Sequence, residues 1–338
     1  MRILLATDGS ATADAALDVV LYRPWEPGSQ VRVISVAEPL NERLTHMVGL
    51  FGLGKTAADA HSNYVQQLKE LVEKYALALR EKFGSENVSA EVINGKVKET
   101  IVTEASKFNA DTIVLGAHGR NETADVLFGS VPEYVLSHAK STVEILRAIS
   151  PSTMITEIER KQPVEEDKYL VALDDSECST ATLKEILSRK WPANPFFKVV
   201  SVVEPLPFQA YSGLGPWEGA GSDEYVNLVN KTLQAEQEIA RKVVDNAVNK
   251  LQQQFPDANV TGEVQEGYAK DRILSTAREW PADLIIVGSH GRGGFMEFVL
   301  GSVSKACAVH APCSIMVIRG AHSSGQTSTS SASTTTGR

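Results

Sequence analysis

The chain opens on Arg2 to Ala6 (RILLA), a short continuous apolar run of the kind that forms a strand buried on both faces. Thr7-Asp8-Gly9-Ser10 stops it. The apolar positions then change to helical spacing at Ala16, Leu17, Val20 and Leu21, with Ser10 or Thr12 as the cap. Val31 to Ala37 (VRVISVA) predicts a second strand, ended by Glu38-Pro39. Residues 40–56 are irregular. From about Ala57 a long helix is predicted to Phe83, with Tyr64, Leu68, Leu71, Val72, Tyr75 and Leu79 on one face and Gly84 as its stop. Val88 to Ile93 predicts a third strand. Gly95 leads into a helix carrying Ile101, Val102, Ala105 and Phe108, and Asp111 to Leu115 holds the fourth strand. A helix after Ser130, tolerant of Pro132 in its first turn, precedes the fifth strand, Thr142 to Leu146.

Strands alternating with helices predict an α/β fold, a parallel sheet covered on both faces. Ligands in such sheets sit beyond the carboxyl ends of the strands, where Asp8 and Gly116 fall. The plan then restarts. Tyr169 to Asp174 repeats Ile3 to Asp8 at an offset of 166, which also pairs Trp25 with Trp191 and Val36 with Val202. Beyond the second strand the offset becomes 172, pairing Gly95 with Gly267, Asp111 with Asp283, His118-Gly119-Arg120 with His290-Gly291-Arg292, and His138-Ala139 with His310-Ala311. An internal repeat of this precision is a duplication. The expected division is a first domain at 1–148, a linker at 149–167, a second domain at 168–320 and a Ser/Thr-rich tail at 321–338. That tail is too poor in apolar residues to fold.

With 338 residues, 43% hydrophobic and 22% charged, the chain is long enough for two ordinary soluble cores. A net charge of −9 argues against a nucleic-acid partner. No apolar run approaches the roughly 20 residues that cross a bilayer, and the N-terminus lacks the features of a secretory signal. Cys178, Cys307 and Cys313 form no C-x-x-C pair, which fits a reducing compartment; small buried thiols are the expected role. A cytoplasmic location is expected.

The chemistry centres on Gly288 to Val303 (GSHGRGGFMEFVLGSV), which follows the apolar strand Leu284 to Val287. A glycine-ended strand, a glycine loop and a Gly-Ser at a helix start suggest a phosphate cradle, because backbone N–H groups and the helix N-terminus attract an anion. The pattern G-x2-G-x9-G-[ST] occurs twice, at Gly116, Gly119, Gly129, Ser130 and at Gly288, Gly291, Gly301, Ser302. Each copy is matched by an aspartate at the end of a first strand, Asp8 or Asp174. The plainer reading is that glycines shape a turn and that Asp8 and Asp174 make only a turn and a helix cap.

With these motifs the chain resembles the ATP-binding branch of the universal stress protein family, over about 1–147 and 168–320. The resemblance implies two tandem Rossmann-like domains of the adenine nucleotide alpha hydrolase-like kind, each a five-stranded parallel sheet flanked by helices. It further implies that Asp8 and Asp174 contact a nucleoside and that backbone groups of Val36 and Val202 meet the adenine. The motif residues Gly116, Gly119, Gly129, Ser130, Gly288, Gly291, Gly301 and Ser302 would wrap ribose and phosphates, joined by the backbone of Val131 or Val303. Arg120 and Arg292 stand where a guanidinium reaches phosphates, or where a loop arginine is simply solvated. ATP is the implied cofactor, with AMP or ADP as alternatives and magnesium able to accompany it. His118 and His290 are expected to pack the loop.

The second loop continues with Gly293-Gly294 where the first has Asn121-Glu122, so the second site is expected to bind more tightly. Asp125 and Glu297 are equivalent and do not separate the sites. Gly49 to Thr56 (GLFGLGKT) matches the Walker A pattern, but the preceding ERLTHMV is no strand and no Walker B strand follows, so a variable loop is expected, with Lys55 a candidate lid residue. Gly213-Leu214-Gly215 in the other repeat lacks the lysine. The apolar Ser314 to Ile318 should lie at a sheet edge, where the family pairs subunits; Thr142 to Leu146 would make an internal pseudo-dimer, and a homodimer is the further option. A nucleotide-dependent sensor or regulator is the leading reading. An enzyme using ATP, whether a slow ATPase or one that adenylates a substrate, and a scaffold with empty sites are the alternatives. The sequence identifies no catalytic base, metal ligands, stress or protein partner.

Overall fold

The computed structural model describes residues 1–39, 54–119, 128–147, 167–205, 223–292 and 300–319, of which 54–56 and 223–226 are described by their backbone. Arg120, the 121–125 and 293–297 differences, the linker up to residue 166, the tail, most of the Walker-like stretch and Gly213 to Trp217 lie outside these residues.

The first half runs β1 (Arg2–Ala6), α1 (Ala11–Tyr22), β2 (Gln30–Ala37), α2 (Gly54–Phe83), β3 (Val88–Asn94), α3 (Val97–Phe108), β4 (Thr112–Gly116), α4 (Ser130–His138) and β5 (Thr142–Leu146). The second half repeats it as β6 (Lys168–Ala172), α5 (Glu177–Ser188), β7 (Phe196–Val203), α6 (Asp223–Gln254), β8 (Asn259–Glu266), α7 (Ala269–Glu279), β9 (Leu284–Gly288), α8 (Ser302–His310) and β10 (Ser314–Ile318). Apolar runs such as Ile3 to Leu5 become fully buried central strands, as their unbroken hydrophobicity requires. On α2, Leu68, Val72, Tyr75 and Leu79 are buried as their spacing predicts, whereas Tyr64 is exposed.

All ten strands form one sheet in the order β3-β2-β1-β4-β5-β10-β9-β6-β7-β8. Each half is parallel within itself. The halves join where β5 and β10 pair antiparallel, with Met316 opposite Glu144. The repeat offset also relates these two residues, so the pseudo-twofold axis passes between them.

One face of the sheet carries a single core running through both halves, from Leu4 and Ile34 to Ile285 and Ile315. The other face carries two separate cores, under α1 and α2 and under α5 and α6. A buried ion pair lies on that face: Arg23 donates to both carboxylate oxygens of Glu144 at 2.7 Å, and the carboxylate side chain is 0% exposed. Burial works against the Arg23 charge, but the charge and hydrogen bonds of Glu144, with smaller contributions from Tyr169 and Asp167, raise its pKa above the ordinary arginine value. The guanidinium also sits 5.8 Å from the Trp191 ring of the second half. Among the described residues, no helix is long and apolar enough to cross a membrane.

Candidate functional site

The candidate residues converge at the carboxyl ends of the central strands. β1 and β4 are neighbours, as are β6 and β9. This adjacency brings the turn after the first strand against the glycine loop more than 100 residues away. In the first half Asp8 Oδ1 accepts from the Ser10 backbone N–H at 3.0 Å, and Ser10 caps α1 by accepting from Ala13 N–H. In the second half Asp174 Oδ1 accepts from the Ser176 N–H at 3.1 Å and the Ser179 hydroxyl at 2.6 Å, and Ser176 caps α5. Both aspartates therefore build the turn, and both also face the loop. A Cβ added at Gly119 would lie 3.1 Å from Asp8 Oδ2, and one at Gly291 would lie 2.7 Å from Asp174 Oδ2. Glycine lets the backbone pass this close to a carboxylate without displacing it.

The first glycine of each motif is held as tightly. A Cβ at Gly116 would meet Thr12 Oγ1 at 2.3 Å and the Thr12 backbone carbon at 2.8 Å. At Gly288 it would meet Cys178 Sγ at 2.9 Å and Thr182 Oγ1 at 3.1 Å. Thr12 also donates to the His118 carbonyl at 2.6 Å, fastening the loop to α1. The repeat places Cys178 at that position, and its thiol contacts Ser289 Oγ at 3.6 Å instead.

Gly129 and Gly301 are the N-caps of α4 and α8, both extended and neither with a side-chain capping bond. Their N–H groups bond back across the loop, to the carbonyls of Ala117 at 2.9 Å and Ser289 at 2.8 Å. The first helical bonds come from Glu133 and Lys305. The backbone N–H groups of Ser130 and Val131, and of Ser302 and Val303, therefore precede any intrahelical acceptor and leave an anion-attracting helix end. Pro132 removes a third donor from α4, whereas Ser304 keeps one on α8. Val36 and Val202 lie two residues beyond the last register pairs, Ala6 with Ile34 and Ala172 with Val200, so their strands overhang the site in both halves.

Arg292 does not reach out as a loose cation. Its side chain pairs with Asp175 and with Glu236 of α6, and its N–H donates to Asp174 Oδ2 at 3.2 Å. Burial, with a smaller contribution from the Arg319 charge, holds the His290 pKa below the usual histidine value. Its Nδ1 lies 3.0 Å from the Ser289 hydroxyl. Sequence reasoning named Thr12 only as a possible cap and passed over Ser179 and Glu236, because a single hydroxyl or carboxylate on a helix carries no motif. It also passed over Arg147 and Arg319, although the repeat aligns them. Arg147 donates to the carbonyls of Ala308 and Val309 at 2.8 and 3.0 Å, and Arg319 donates to that of Leu136. Each half thus caps the C-terminus of the other half's last helix, where a cation opposes the helix dipole.

The model of the Universal stress protein family matches residues 1–147 and 167–319. The chain is 28% identical over 329 residues to Universal stress protein MT2052 of Mycobacterium tuberculosis (strain CDC 1551 / Oshkosh), covering 94% of this chain and 95% of that protein. It is 27% identical to Universal stress protein Rv1996 of the H37Rv strain, with the same coverage. A solved universal stress protein from Archaeoglobus fulgidus DSM 4304 superposes with a TM-score of 0.50 at 18% identity, covering 95% of this chain and 98% of the other. The functionally unknown protein PA1789 from Pseudomonas aeruginosa PAO1 gives 0.52 at 14% identity, covering 94% and 92%. At these identities the two structures share the fold with this chain.

Proposed function

The chain belongs to the universal stress protein family, and on that premise we propose that each half holds an adenine nucleotide and that the protein acts as a nucleotide-dependent regulator of a stress response. The observation that carries this reading is the doubled juxtaposition of a carboxylate with a glycine loop, Asp8 with Gly119 and Asp174 with Gly291. Each lies at the same end of the sheet as an uncapped helix start. A carboxylate accepts from ribose hydroxyls or an adenine amine. Backbone N–H groups at Ser130 and Val131, and at Ser302 and Val303, suit phosphate oxygens. The overhanging backbones of Val36 and Val202 would meet the base. ATP fits the combination, and AMP or ADP uses the same groups. Magnesium, if it accompanies the nucleotide, would be held by the phosphates. Arg292 would have to exchange a carboxylate for a phosphate to take part.

Denaturing the purified protein and identifying released nucleotide by mass spectrometry tests this. Adenine nucleotide, one per half, is the expected result. No released nucleotide, together with no heat on titration with ATP, ADP or AMP, would overturn the reading.

A further inference from the structure

A third concavity lies between the halves, and its lining includes none of the glycine-loop positions among the described residues. Its volume is about 510 Å³, within the roughly 300–1,000 Å³ of small-molecule sites. The antiparallel join creates it. The start of β5 lies beside the end of β10, so Ser141 and Asp111 at the amino ends of the first half's strands meet Arg319 and the outer side of α5.

Three lysines, Lys140, Lys184 and Lys190, and three arginines, Arg23, Arg189 and Arg319, line this cleft in a chain of net charge −9, and of the arginines Arg23 is already paired with Glu144. The carboxylates beside them are engaged. Glu185 accepts from Arg189 and from the Thr142 hydroxyl at 2.9 Å, Glu26 lies 3.6 Å from Lys190, and Asp111 accepts from the Arg2 backbone N–H at 2.6 Å. Arg189 is 7% exposed, yet its Nη1 has no hydrogen-bond partner among the described residues, and neither has the buried Nε of Arg319. A guanidinium stays charged, and its buried N–H groups call for acceptors. Both residues line the cleft, where an oxyanion would meet their guanidinium groups.

The duplication provides an internal control. The positions related to these by the duplication keep the arginines, as Arg23 and Arg147, but have Pro312, Asp18 and Pro24 in place of Lys140, Lys184 and Lys190; Arg23 and Pro24 themselves border the cleft. Burial and packing explain residues common to both sets of positions. They do not explain why exposed lysines occupy one set alone.

We propose that this cleft binds a small molecule bearing phosphate or carboxylate groups, with Arg189 and Arg319 as the fixed donors and the lysines as steering charges. Guanidinium forks match such oxyanions, and clustered ammonium groups raise their local concentration. The site is independent of the glycine loops and of what those loops bind.

Calorimetric titration of the full chain with pyrophosphate and with citrate, at low ionic strength, tests the proposal. The comparison is with Lys184→Glu/Lys190→Glu and with Gly119→Ala/Gly291→Ala. At least one probe is expected to bind and to weaken about tenfold or more with the lysine reversals, while binding persists in the glycine variant. Preference for pyrophosphate assigns a phosphorylated ligand, and preference for citrate a carboxylated one. Binding of neither probe, binding unchanged by the lysine reversals, or loss confined to the glycine variant overturns the proposal. Lys184→Gln/Lys190→Gln gives the same reading should the reversed charges disturb folding.

Discussion

The two glycine loops show one backbone supported by two sets of side chains. In the first half Gly9 takes a φ of +76° and Thr12 fastens the loop. In the second, Asp175 replaces Gly9 outside the left-handed region, Cys178 replaces Thr12, and Arg292 is clamped between Asp175 and Glu236. Tyr64 stands where α6 has Glu236, if the buried faces of α2 and α6 are aligned. What both halves keep is the close approach of Asp8 to Gly119 and of Asp174 to Gly291. The join shows the same divergence. Glu144 and Met316 face each other at the pseudo-twofold axis. Two glutamates there would bury like charges side by side, so only a fused chain can place a single carboxylate on the axis and pair it with Arg23.

Replacing that carboxylate should have the largest effect. Glu144→Gln leaves Arg23 buried without its counter-charge and is expected to cost about 3–5 kcal/mol in urea unfolding. Met316→Leu, at the related position, should cost less than about 1.5 kcal/mol. Equal costs would refute the assignment of the axis. Next is the first glycine of each motif. Gly116→Ala meets the Thr12 backbone and should destabilise by about 1–3 kcal/mol. Gly288→Ala meets the Cys178 and Thr182 side chains closely and a backbone atom, the His290 carbonyl, only at 3.4 Å, and should cost less, as the two melting temperatures would show.

For the nucleotide, Gly291→Ala/Gly301→Ala is expected to lower total binding more than Gly119→Ala/Gly129→Ala does, by about tenfold at the affected site. Loss of most binding only in the first-half pair would reverse the ranking. A few-fold change is expected from Glu236→Gln, which removes one acid from the second mouth and releases Arg292. Unchanged affinity there means that the clamp persists with nucleotide bound. The smallest effect concerns pH. Burial holds the folded His290 pKa below 6.5, so the unfolded chain takes up the proton first as pH falls. Stability should therefore be lost on acidification below about pH 6.5, and His290→Asn should flatten that part of the melting-temperature profile.

Much of this comparison could be read along the chain. Arg2–Ala6 and Thr142–Leu146 are strands with the limits their apolar runs predict. The second strand begins one residue earlier than expected and the long helix at Gly54 rather than Ala57, since the ends of elements carry the weakest periodic signal. The glycine spacing located both loops, because a backbone that must pass a carboxylate or a helix turn excludes every side chain, and that exclusion is written as glycine.

Sequence by itself determined the elements, their alternation, the duplication and the candidate loops. These follow from local periodicity and from residue types that only one backbone conformation accepts. Tertiary structure alone decided that β5 meets β10, that Glu144 is answered by Arg23 from 121 positions away, and that Arg292 turns to Glu236. It also gathered three lysines into one cleft. Such partners are chosen by the packing of the sheet and its helices, and no spacing along the chain encodes a contact between side chains that distant.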